Sequence, residues 1–215
     1  MSLAELPIQE YATITSSFLP QMSPVMCYSA SLTNILNHLK EKEGLSFRKF
    51  TLSRMNQICN FKEDLGCYEP DIPIAMNEFL KPYDYEWKCE RGPKMTIARL
   101  RPIVNNHTNS LCLVNVNLSD YCEAIGIKSI GRKIGNHVLV VMGINHDIIY
   151  LWDPMENYFK GSRNGWQLTK YLPIPTFLNV WDRAEDSRWV GWAQRVPTRQ
   201  AKLPLNEDGQ SRGVE

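Results

Sequence analysis

The chain has 215 residues, 43% of them apolar and 22% charged, and a formal net charge of +1. That length suffices for one domain with a sizeable core, and the near-neutral balance argues against a nucleic-acid binder that works by neutralising phosphates. No run approaches the about 18 apolar residues of a membrane span, and the opening MSLAELPIQEYATITSS lacks the basic-then-apolar pattern of an export signal, so a cytoplasmic location is expected.

Taken in order, residues 1 to 18 read as an extended arm with Ile14 and Phe18 packed down. The next stretch, LPQMSPVMCYSASLTNILNHL, carries a helix predicted over 24–43. Ser23 is its expected N-cap and Pro24 its first residue, Tyr28, Leu32, Ile35, Leu36 and Leu39 form one stripe, and Gly44 ends it. Leu52, Met55, Ile58 and Cys59 have helical spacing, which predicts a second helix near 52–60. A loop follows over 61–70, and then a third helix, DIPIAMNEFL, capped by Asp71. Pro82 blocks its continuation, and YDYEWKCE alternates as a strand does. KMTIARLRPIV reads as a short fourth helix that Pro102 kinks or ends early.

Beyond residue 110 the pattern turns to strands. SLCLVNVNL is a buried strand, and HVLVVMGIN with DIIYLWD forms a hairpin turning near Asn145-His146-Asp147. TFLNVWD and WVGWAQRV read as two further strands. The glycines and lysines of residues 118–135 suggest a solvent-facing loop, either a lid or a passive insertion. Helices first and strands second, without βαβ alternation, is the layout of an α+β domain with a segregated antiparallel sheet. It covers residues 1–197, and 198–215 read as a polar tail.

Six cysteines occur at 27, 59, 67, 89, 112 and 122. A chain of this length without an export signal does not use them as a disulfide framework, and no C-x₂-C pair argues for zinc; no metal or cofactor is expected. Most buried cysteines act as small hydrophobes. Cys27 differs because it lies in the first turn of its helix, where unpaired N–H groups and the positive dipole end favour a thiolate.

A nucleophilic thiolate needs an imidazole, and the imidazole needs an orienting acceptor. His38 lies about 16 Å along the same helix as Cys27 and is excluded by helix rise. His107 sits in the polar loop NNHTN and His146 at the hairpin tip, which leaves His137, a polar residue heading an apolar strand. A fold-back symmetric about residue 145 or 146 puts His137 and Asp153 opposite or diagonal on one face, whereas a one-residue slip separates them. Gln21, just upstream, offers an amide donor for an oxyanion.

Q-x₅-C at Gln21 and Cys27, followed by SASLTNIL, and later GNHVLVVMGI and YLWDP, together resemble the papain-like cysteine peptidase fold, nearest to the C39-like peptidase group. The resemblance spans about residues 15 to 182. It implies a helical half packed on an antiparallel sheet half with the active-site cleft between them. It also implies a Cys27 nucleophile, a His137 base, an Asp153 orienter and a Gln21 oxyanion donor. Tyr28 and Met26 stand where that group often has a glycine and an acidic residue, a difference that bears on substrate fit beside the nucleophile.

The expected function is a cysteine hydrolase acting on a peptide or isopeptide bond of a peptide or protein substrate. Two alternatives remain open: acyl transfer to an amine through the same residues, and a catalytically idle module that binds a peptide in the cleft. An aromatic binding module built on the six tryptophans is a weaker fit, since such residues commonly fill cores.

Overall fold

The structure is a computed structural model describing residues 14–23, 25–67, 72–105, 111–126, 135–155 and 171–197. The first helix, α1, runs Cys27–Glu43 and is buried almost all round over its first half, Ser29, Ala30, Ser31, Thr33 and Asn34 included. Gly44 ends it in the left-handed conformation, φ +65°, with its N–H on the Lys40 carbonyl. Then come α2 (Leu52–Ile58), whose N-cap Thr51 accepts from the Arg54 N–H, and α3 (Ile72–Leu80). Pro82 falls in a 3₁₀ turn over Lys81–Tyr83 before β1 (Tyr85–Glu90). Asn77 joins α3 to β1, accepting from the Trp87 N–H at 2.7 Å. The rest of the chain gives α4 (Ile97–Asn105), β2 (Cys112–Asn117), α5 (Leu118–Ala124), β3 (Asn136–Ile144), β4 (Ile148–Trp152), β5 (Tyr171–Pro173), α6 (Ile174–Asp182) and β6 (Val190–Arg195).

The six strands form one antiparallel sheet in the order β1-β6-β2-β3-β4-β5. One face carries α1, α2 and α3 over Leu113, Val138, Val140, Met142 and Trp152. The other carries α4, α5 and α6 over Val114, Leu139, Val141, Ile149 and Leu151. The architecture is α+β and papain-like, a helical group against an antiparallel sheet. Burial of both sheet faces explains why β2 and β3 are apolar at nearly every position rather than alternating.

Four expectations need correction. TFLNVWD is not a strand but part of α6, because Phe177, Val180 and Trp181 are spaced i, i+3, i+4 and bury one helical stripe. Consequently the helices do not all precede the strands. The segment 118–124 is not a solvent-facing loop: α5 is capped by Asn117, which accepts from the Asp120 N–H, and it buries Leu118, Tyr121 and Cys122. Helix α4 does not end early at Pro102 but runs on to Asn105, whose side chain donates to the Ile144 carbonyl and accepts from its N–H. Finally, α1 starts at Cys27 rather than at Pro24, because the Ser23 carbonyl, not its hydroxyl, closes the preceding turn by accepting the Met26 N–H at 3.2 Å. The expected Asp71 cap, residues 127–134 of the insertion, and the tail 198–215 lie outside the described residues.

No helix among the described residues is long and apolar enough to cross a membrane.

Candidate active site

Cys27 is the first residue of α1 and is half-buried. Its backbone N–H therefore belongs to the first-turn donors that the helix itself leaves unused. His137 is the second residue of β3, opposite Val116 of β2, and is 1% exposed. Its Nε2 lies 2.8 Å from Asp153 Oδ1, and that oxygen also accepts the Met155 N–H at 2.7 Å, which holds the carboxylate at the end of β4. The second ring nitrogen, Nδ1, is not used by Asp153, and the Cys27 side chain also acts on the imidazole, favouring its charged form. The structure thus pairs His137 with Asp153, and the Cys27 side chain acts on the same imidazole. His146, by contrast, stays at the hairpin tip, His38 packs edge-on to Phe18 with ring centroids 6.5 Å apart, and His107 lies outside the described residues.

How His137 and Asp153 come to share a face is not the way a simple hairpin would do it. At the turn Ile144 pairs with Ile149 and Gly143 with Tyr150, so the fold-back is centred between two residues rather than on one. Continued unchanged, that register would set Asp153 opposite Val140 and turn it to the face away from His137. Met142 prevents this. It forms a bulge in β3, after which Val141 pairs with Leu151 and Val140 with Trp152. Asp153 then falls opposite Leu139, diagonal to His137 and on its face.

Two forces act on the imidazole. Burial alone would lower its pKa, but the Asp153 charge and hydrogen bond, followed by the hydrogen bond and charge of Cys27, raise it to about 10. The upward shift favours the charged imidazolium form at neutral pH. Tyr121 of α5 covers it, with ring centroids 6.0 Å apart and planes tilted by 37°. Three thiols elsewhere are pushed up: burial raises Cys112, burial and the Asp153 charge raise Cys122 to about 11, and Cys67 raises Cys59.

Gln21 is 3% exposed and is held from two sides. Its backbone N–H donates to the Pro154 carbonyl at 2.8 Å, tying it to the residue after Asp153. Its side-chain Nε2 donates to the Ser23 carbonyl at 2.8 Å. An amide nitrogen carries two hydrogens, so one remains, while the buried Oε1 has no partner among the described residues. Asn34 of α1 completes the support: its Oδ1 accepts the Leu19 N–H at 2.7 Å and its Nδ2 donates to the Leu19 carbonyl at 2.9 Å. Sequence reading passed over Asn34, Tyr121 and Pro154. Only Asn34 carried a signal, as an amide midway along a helix read as buried on one side, where a buried polar group needs a partner.

The solved structures similar to this chain include one described as a C39-like peptidase from Bacillus anthracis. It is 14% identical in sequence, with a TM-score of 0.53 over 85% of this chain and 96% of that one. The fold is that of the C39-like peptidases. Two further solved structures are similar to the chain at lower scores. The peptidase domain of Streptococcus ComA, a bifunctional ABC transporter, is 14% identical with a TM-score of 0.48 over 81% of this chain and 95% of that one. A double-glycine-motif protease from an AMS/PCAT transporter, solved with its leader peptide, is 17% identical with a TM-score of 0.46 over 82% of this chain and 89% of that one. No protein-family model and no curated protein matches the sequence.

Within this C39-like fold, the site lies where the head of α1 meets the start of β3 and the end of β4. Three protein groups there can make a nucleophile, move a proton and fix the imidazole. Among the described residues no group of three or more His, Cys, Asp or Glu side chains could hold a metal ion.

Proposed function

We propose that the protein is a cysteine peptidase that cleaves a peptide or isopeptide bond through Cys27, His137 and Asp153, with Gln21 as oxyanion donor. The observation that carries this reading is the buried His137–Asp153 pair, 2.8 Å apart, on an imidazole whose charged form the Cys27 side chain, at a helix head, also favours. In the proposed cycle the Cys27 thiolate attacks the scissile carbonyl carbon. Negative charge gathers on the carbonyl oxygen, within reach of the Cys27 backbone N–H and the remaining Gln21 amide hydrogen. The His137 imidazolium passes a proton to the departing amine, giving an acyl-enzyme thioester. Neutral His137 then takes a proton from water as the water attacks the thioester, which releases the acid and restores the ion pair. Asp153 holds the ring and stabilises its charged form.

The substrate class is a peptide or protein. One catalytic unit spans residues 1–197, with 198–215 as an appended tail. Six thiols, all unbridged, suit a cytoplasmic protein.

The test is thiol labelling. Iodoacetamide at neutral pH, with mass spectrometry to locate the adduct, is expected to modify Cys27 ahead of the other five cysteines; equal rates across the set would remove the nucleophile and leave a peptide-binding module. Gln21→Ala is expected to lower turnover by about 10² while substrate binding holds, since its donor acts only as charge develops. A loss confined to binding would contradict that role. Running the reaction with an added amine, and looking for amide rather than acid product, separates hydrolysis from acyl transfer.

A further inference from the structure

The short segment that delivers Gln21 is fastened at three successive points. Phe18 packs edge-on against Trp152, the last residue of β4, with ring centroids 5.0 Å apart. Leu19 is held by α1: Asn34, 2% exposed, accepts the Leu19 N–H at 2.7 Å and donates to the Leu19 carbonyl at 2.9 Å. One side-chain amide thereby takes both backbone groups of a single residue, as a paired strand does. The Gln21 N–H then closes on the Pro154 carbonyl at 2.8 Å, just beyond Asp153. Residues 18–21 are thus a strap stitched to the end of β4, to α1, and to the turn after β4. Asn34 stands seven residues after Cys27, on the same stripe of α1 and about 10 Å along its axis. Two residues of chain span about 7 Å at most, so fixing Leu19 limits where along α1 Gln21 can lie.

We infer that Asn34 is a positioning residue for the oxyanion step, its two bonds to Leu19 setting the place of the Gln21 amide relative to the head of α1. This role rests on the peptidase reading. Asn34 touches no reacting atom and acts through the strap alone. With alanine at 34 the helix keeps its propensity, while the N–H and carbonyl of Leu19, a residue 39% exposed, turn to water. The Gln21 donor is then no longer held in place before charge develops on the carbonyl oxygen.

The test compares two reactions of Cys27 in the full-length chain. Hydrolysis of p-nitrophenyl acetate, less the rate left in Cys27→Ala, passes through an oxyanion; alkylation by iodoacetamide needs the thiolate but forms none. Asn34→Ala is expected to slow the ester reaction at least about 10-fold and to leave alkylation within about two-fold. Combined with Gln21→Ala it should be no slower than Gln21→Ala alone, because both act at one donor. Ser31 lies one turn earlier on α1 and donates to the Val138 carbonyl at 3.3 Å rather than to the strap, so any loss in Ser31→Ala should add to that of Gln21→Ala. Should Asn34→Ala fail to fold, Asn34→Thr, close to asparagine in volume, takes its place. Equal losses in both reactions, or full additivity of Asn34→Ala with Gln21→Ala, would overturn the role. If the unsubstituted chain shows no Cys27-dependent hydrolysis, the peptidase reading fails, and native-state amide exchange still decides whether Asn34 holds the strap. The Gln21 N–H is expected to lose protection in Asn34→Ala while α1 and the sheet keep theirs; unchanged protection at Gln21 overturns the hold itself.

Discussion

Cys27→Ala is expected to reduce peptide hydrolysis by about 10⁴-fold or more, because residues that act as one nucleophilic unit lose nearly everything when the attacking atom goes. The fold should not change with it. Cys27 is half-buried at the edge of the first core layer, so loss of the sulfur opens no enclosed cavity, and melting temperature and substrate binding should stay near those of the unsubstituted chain. Hydrolysis that survives the substitution at its original rate would end the proposal, whatever the geometry. The variant should also trap bound substrate, which makes it the tool for identifying the peptide.

Asp153→Asn is expected to cost turnover about 10⁴-fold while leaving the shape of the site intact. An asparagine oxygen can still accept the Met155 N–H, so the turn after β4 persists, but no charge remains to favour the imidazolium. The same substitution carries a pH signature. His137 moves from an ordinary 6.5 to about 10 on folding, so the folded state binds its proton more tightly than the unfolded chain does. That stability is complete below the unfolded value of 6.5 and is lost as pH rises through about 10. Denaturant unfolding followed across this window should therefore show the unsubstituted chain losing stability as pH climbs. In Asp153→Asn the decline should be smaller, since Asp153 supplies the leading contributions that raise the value. Parallel curves for the two proteins would show that the carboxylate does not set the charge state of His137.

Much of this arrangement was legible in residue order. The stripe of Tyr28, Leu32, Ile35, Leu36 and Leu39 placed a buried helix, and the cysteine at its head followed from that alone. His137 stood out because a polar residue beginning an apolar strand needs a partner, and Asp153 was the acceptor within strand reach. Other parts were misread for identifiable reasons. The β-branched and aromatic residues of TFLNVWD suggested a strand, yet the spacing of Phe177, Val180 and Trp181 was helical, and with Pro175 in the first turn the helix prevails. The 118–124 segment looked like a loop because it was read together with the glycines and lysines that follow it. Its burial depends on Tyr121 and Cys122 meeting α6, a contact remote in sequence.

By itself, then, the sequence determined which residue types were available and which local elements carry them: a cysteine at a helix start, an imidazole at a strand start, a carboxylate at a strand end, a glutamine just upstream. Side-chain periodicity and capping act over a few residues, so they can be read along the chain. Tertiary structure alone decided whether these groups meet. The hairpin turn is centred between residues, and by parity it would have sent His137 and Asp153 to opposite faces; one extra residue, Met142, restores them to the same one. The Gln21 bond to the Pro154 carbonyl and the Asn34 clamp on Leu19 were equally invisible, because a hydrogen bond between distant segments leaves no periodic trace in either.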